Sequence, residues 1–238
     1  DNLISLPKQL TNSLGMTFHL VYPSLEGTGF MLYQAFSVGP EEQKFQAVLT
    51  RPFYLQTTPV TQKQWQSAMD NNPSHFKNMP EAPVEGVSWD DCQLLIHRLN
   101  LTQEARYRLP TEVEWEFACR AGSKTHYHFG NTPESLEEYA WYANNAKQTT
   151  HPVSQKKAND LGVFDIQGNV REWVQDVYDT LPEGEFINPR GSSSKNQRVV
   201  RGGSWNSSCL ECRSDYRQGE ATSQRIHDLG FRLVIEIT

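Results

Sequence analysis

Cysteine is scarce in this chain, with four in 238 residues: Cys92, Cys119, Cys209 and Cys212. That is too few for a disulfide scaffold. The one Cys-x-x-Cys pair, Cys209 and Cys212, has no second pair to complete a structural zinc site. Nor does it sit in the βαβ context of a thioredoxin-like redox motif. Long apolar runs are missing, so no segment reads as a membrane span, and no charged n-region precedes an apolar h-region at the start. Basic residues are not in excess: 22 Lys and Arg face 28 Asp and Glu, for a formal charge of -6. This argues against nucleic acid as a partner, because nucleic-acid binding needs a concentrated basic face. No internal repeat is present. A chain numbered from Asp1 invites the expectation of a removed leader, and with it an extracytoplasmic or cell-surface location.

What remains is enough for a core: 37% hydrophobic residues and six Trp. The length suits one large domain or two small ones, and no linker separates two cores. We read residues 1–238 as a single α+β domain with little regular structure. Short apolar runs from Asn12 to Val48 read as strands, as does FYLQTTPVT from Phe53 to Thr61. Three helix starts carry cap signals: Thr61 before QKQW, Ser88 before Asp90 and Asp91, and Thr111 with Glu114 as a capping box. Gly122 is expected at the last helix's C-cap. Gly168 and Asn169 mark a tight turn, and Leu181 to Gln197 reads as a loop. Trp65, Trp89, Trp115, Trp141 and Trp173 are expected in the core. Glu112, Glu114 and Glu116 are expected to serve capping and solvation. Arg201, Arg213, Arg217, Arg225 and Arg232 are expected to form ion pairs that hold irregular loops.

The end of the chain carries the most. Gly202 and Gly203 permit a tight turn or a close approach. LGFRLVIEI, from Leu229 to Ile237, reads as a terminal strand. Between these anchors lies a polar stretch with no helical or strand period, holding Cys209, Cys212, Tyr216 and His227. Such a loop between fixed anchors is where binding or catalysis usually sits.

Eight segments, in order, carry a resemblance: NSLGMTF at Asn12, PFYLQTTPVTQKQW at Pro52, NPSHF at Asn72, PVEGVSWDDC at Pro83, RLPTEVEWEFACRAG at Arg108, GNVREW at Gly168, RVVRGGSW at Arg198 and LGFRLV at Leu229. Together they resemble the formylglycine-generating-enzyme (sulfatase-modifying factor) domain family. The resemblance implies a variant of the C-type-lectin-like fold. It also implies, for the catalytic members, a copper(I) oxidase with two loop cysteine thiolates separated by four residues. Aligned that way, Cys209 matches the first thiolate and Ser214 falls on the second. Cys212 lies too close to replace it. A hydroxyl is a poor ligand for soft Cu(I), so copper is not expected. GNVREW departs from the commoner GNVWEW at Arg171. The family's calcium sites suggest Asn169 and Glu172 as oxygen ligands, with Asn144 or Asn145 for a second site. The plain alternative is that Asn169 simply accepts a positive φ.

Some members of this fold are bacterial variable proteins diversified by retroelements, and Trp205 to Gly230 resembles their variable region. On that basis the ligand-facing set is Trp205, Asn206, Ser207, Ser208, Leu210, Asp215, Tyr216, Gln218, Ile226, His227 and Asp228. The reading we adopt is a non-catalytic binding domain that displays residues 206–228 to a protein or small-molecule ligand. The alternatives are a copper-dependent formylglycine-generating oxidase using Cys209, and a regulatory or sensory module of a larger protein such as a kinase. Tyr216 and His227 stand between ligand contact and ordinary loop positions. The remaining histidines lack the spacing of a metal triad.

Overall fold

The computed structural model describes residues 6–23, 31–34, 45–190 and 196–237. The expectation of strands over Asn12 to Val48 partly falls outside these residues, at 24–30 and 35–44. Within them, five strands form one sheet: β1 (Gln9–Thr11), β2 (Thr17–Val21), β5 (Phe53–Gln56), β12 (Val234–Glu236) and β6 (Tyr107–Arg108), in that order. A second sheet runs β10 (Arg217–Ala221), β9 (Gln197–Arg201), β7 (Arg171–Val177) and β11 (Leu229–Gly230). A third joins β3 (Met31–Gln34), β4 (Phe45–Val48) and β8 (Gly184–Ile187). Helices α1 (Gln62–Met69), α2 (Trp89–Leu101), α3 (Glu112–Arg120) and α4 (Leu136–Tyr139) complete the regular structure.

The strand period of two explains how these sheets bury both faces. Tyr54, Trp173 and Ile235 face one core with Trp65, Leu95 and Phe231. Their neighbours Leu55, Val174 and Val234 face a second core with Trp115, Ala118 and Val199. The three helix caps form as their sequences require. Thr61, Ser88 and Thr111 each accept from the third helical N–H, and Gln64, Asp91 and Glu114 reach back to the cap. Helix α3 ends on Ala121 in the left-handed region, one residue before the expected Gly122.

Four sequence expectations are corrected. FYLQTTPVT is a strand only to Gln56, and Thr61 makes an isolated bridge to Pro83. LGFRLVIEI is split: β11 pairs parallel to β7, and the chain then crosses to the other sheet as β12. Gly230 permits the crossing, because a Cβ there would lie 2.5 Å from the Val84 carbonyl oxygen. The expected loop Leu181 to Gln197 contains β8, which pairs in parallel with β4. The supposedly aperiodic C-terminal loop contains β10, paired antiparallel with β9. Its sequence RQGEA shows no apolar alternation because all five residues are only half-buried.

Candidate functional site

The interior of the 202–228 segment is fixed from below. Gly202 and Gly203 have φ of 97° and 69°. A Cβ on Gly203 would meet the Cys212 sulfur at 2.6 Å. Arg171, the departure from the commoner motif, explains itself here. Its guanidinium donates to Asp228 at 2.7 and 3.1 Å, to Glu220 at 2.8 Å and to Gln218 at 3.1 Å. One side chain thus ties strand β10 to the return of the loop. Asp228 also accepts from the Ser204 hydroxyl at 2.9 Å.

Beneath lies a network of buried ions. Arg232 is fully buried and donates to both Glu172 oxygens, while the Trp115 indole donates to the same carboxylate at 2.8 Å. Arg217 pairs with Glu112 at 2.7 Å, and Arg201 with Glu112 and Glu116. Arg120 joins Glu116 at 2.8 Å. The expectation that Glu112, Glu114 and Glu116 serve capping and solvation is therefore corrected. All three are buried, and only Glu114 combines its cap with an arginine, Arg108. Charges this deep persist because each is paired and hydrogen-bonded. Arg213 and Arg225 likewise pair, with Asp215 and Asp91.

The ligand-facing set divides. Asn206, Ser208, Leu210 and His227 are exposed, with Leu210 at 60%. Trp205 is half-buried, its indole N–H on the His227 carbonyl at 3.1 Å and its ring edge-on to Phe76. Tyr216 is half-buried and its hydroxyl accepts from Gln218. Ser207 and Asp215 are corrected: both are buried, Ser207 bonded through its backbone to Ser204 and Ala143, Asp215 by Arg213. Ile226 packs against the core, and Gln218 and Asp228 serve the Arg171 tie. Sequence reasoning missed His75, Phe76 and Glu85, which join this face from NPSHF and PVEG. His75 stacks on His227 with ring centres 4.2 Å apart. Nothing in their local sequence marks a meeting with residues some 150 positions later; only the fold brings them together.

The thiols do not make the copper pair. All four cysteines are free, so no pairing of Cys209 or Cys212 with Cys119 or Cys92 occurs. Ser214, which the resemblance aligns with the second thiolate, is buried, its hydroxyl 3.5 Å from the Cys119 sulfur. Burial pushes the Cys119 thiol up to about 12 and the Cys212 thiol higher still. The hydroxyl of Ser214 is a poor ligand for soft Cu(I). The residues present therefore do not fit a linear dithiolate Cu(I) site.

The calcium pair fits no better. Both oxygens of Glu172 are taken by Arg232 and Trp115. Asn169, at φ 64°, accepts from the His151 N–H at 3.0 Å and donates to Asp165. Asn145 is bonded to Tyr142 and Ala140 within its own turn. Among the described residues no group of three His, Cys, Asp or Glu is arranged to hold a metal ion.

Comparison with known proteins fits this geometry. The chain is 30% identical to the chaperone protein LppX of Paenibacillus barcinonensis over 73% of its own length and 76% of that protein's. It is 30% identical to the formylglycine-generating enzyme of Mus musculus, covering 94% of this chain but 61% of the enzyme. It is 32% identical to the inactive C-alpha-formylglycine-generating enzyme 2 of Bos taurus, over 67% of this chain and 52% of that protein. Its fold superposes on Treponema denticola variable protein 1 with a TM-score of 0.87 and 28% identity, covering 98% of this chain and all of the other. Residues 26–237 match the sulfatase-modifying factor enzyme 1-like domain, and the chain belongs to that family.

Proposed function

We propose that this domain binds a ligand through the rim of the 205–228 segment and does not oxidise cysteine. The observation that carries the reading is the contrast within one loop. Its backbone and inner side chains are held by Arg171, Ser204 and Asp228, while Asn206, Ser208, Leu210 and His227 point outward with their backbone positions fixed. A rigid frame lowers the ordering cost of binding, so exchangeable side chains can set specificity. Ser214 argues against the oxidase. The structural likeness to a variable protein supports a further part of the reading, that this rim is diversified.

Photo-crosslinking residues at Leu210 and His227, compared with exposed Leu94 and Leu101 on α2, test the surface. Crosslinks to one partner from the rim alone are expected; equal labelling from α2 would remove the assignment. Reduced protein loaded with Cu(I) is expected to leave a sulfatase-type cysteine peptide unchanged, and its conversion would establish the oxidase. Diversification predicts a near-copy of the last coding segment downstream in the genome, differing at adenines. The lack of both that copy and a reverse-transcriptase gene would sink that part.

A further inference from the structure

Glu85 is fully buried next to the rim. Its Oε1 accepts from the Phe76 N–H at 2.9 Å. Its Oε2 has no hydrogen-bond partner among the described residues. The nearest basic group is the His227 Nδ1, 3.9 Å away and beyond hydrogen-bond length. The buried glutamates Glu112, Glu114, Glu116 and Glu172 each pair with an arginine, whereas among the described residues Glu85 has none and leaves one oxygen without a hydrogen bond. Burial raises its proton affinity, opposed first by the backbone N–H groups of His75 and Phe76 and then by the His227 and His75 charges. A buried acceptor left unpaired weakens a fold, and retention of such a group points to a role outside folding.

The surroundings suit a cation. His227 is 60% exposed in its side chain and covers Oε2 from the solvent side. Trp205 bonds the His227 carbonyl and leaves the imidazole ring unheld by that bond. The ring also stacks on His75. Phe76 and Trp205 stand edge to face at 5.4 Å beside it. Aromatic faces beside a carboxylate attract ammonium and guanidinium groups, the more so when water is excluded. We infer that Glu85, with Trp205, Phe76 and the stacked pair His75 and His227, receives a cationic side-chain group of the ligand, a primary ammonium or a guanidinium. The inference rests on the rim being a binding face and names the chemistry it selects. The cation enters as the His227 ring turns aside, and gives Oε2 the donor it lacks.

The test titrates the intact protein, by NMR, with Nα-acetyl-lysine methylamide, Nα-acetyl-arginine methylamide and the neutral glutamine analogue. The cationic probes are expected to shift the His75, His227 and Trp205 side-chain signals, and the neutral one to bind more weakly. Glu85→Gln keeps the acceptor for Phe76 and should weaken the cations by about tenfold, the scale of a lost charge-assisted bond. The same variant should melt at or above the parent temperature, an outcome a purely structural glutamate would not give. Glu85→Leu serves the same comparison if the glutamine variant does not fold. Equal binding of the neutral probe, or unchanged cation binding in the Glu85 variants, overturns the inference. A domain that still crosslinks its partner through Leu210 while ignoring both cations would lose this inference alone. Conversion of a cysteine peptide would overturn the proposed function, whereas the probe titrations and the Glu85 variants read the cation site directly.

Discussion

The rim and the base of the C-terminal segment obey opposite rules. At the rim, Asn206, Ser208 and Leu210 meet solvent and engage few neighbours. At the base, Arg171, Arg201, Arg217 and Arg232 are wedged among carboxylates. Loops lack backbone ladders, and here side-chain charge pairs fix the path that a sheet would otherwise fix. The base therefore carries stability, and on the proposed reading the rim carries identity. This division also accounts for Arg171, where the commoner motif has an aromatic residue: the arginine binds both limbs of the loop at once.

Removing half of a buried pair should hurt most. Arg232→Ala leaves Glu172 charged and enclosed, and should cost about 3–5 kcal/mol in urea unfolding. A loss under about 1 kcal/mol would mean the base is not the anchor. Arg171→Ala should come next, at about 2–3 kcal/mol, because several charge-assisted bonds go together. Hydrogen exchange should then rise in 217–228 while α2 stays protected; uniform exchange would show that the arginine ties no particular loop.

A pH effect follows at the edge of the same network. Asp176 is pushed up to about 7 by burial, with the Glu112 charge adding to the effect. An unfolded aspartate titrates near 3.9, so folding favours the protonated form. That contribution is fully present below about pH 4 and disappears as the pH rises through about 7. Asp176→Asn keeps an acceptor for the Glu112 N–H and should remove a stability slope on the order of 4 kcal/mol across that window. Unfolding midpoints of the two proteins running parallel from pH 4 to 7 would contradict it. The smallest effects belong to the rim: Asn206→Ala, Ser208→Ala and Leu210→Ala should each stay within about 0.5 kcal/mol of the parent. A larger change at Asn206 or Ser208 would blur the division between frame and display.

Much of the frame was legible. The caps at Thr61, Ser88 and Thr111 are local chemistry, since each side chain answers an N–H three residues away. The glycines of GGSW and the turn at Gly168 and Asn169 announced positive φ, and the structure has it. The ordered motifs led to the family. Strand β10 was invisible because its five residues are polar and half-buried, so no alternation records its pairing. The glutamates of α3 looked like solvent-facing residues because a helix sequence does not say which arginines arrive from later strands. Ser207, Asp215 and Ile226 were indistinguishable from their exposed neighbours because irregular backbone has no period from which to read a face.

The helix starts, the glycine turns and the family could be read from the chain alone. Each depends on residue identity or on neighbours a few positions apart. Which loop side chains face outward, that Arg232 meets Glu172, and that one Glu85 oxygen lies unbonded near His227 emerged only in the tertiary structure. Those outcomes depend on groups brought together from distant parts of the chain, and burial turns the meeting of two charges, or the absence of a partner, into an energy large enough to matter.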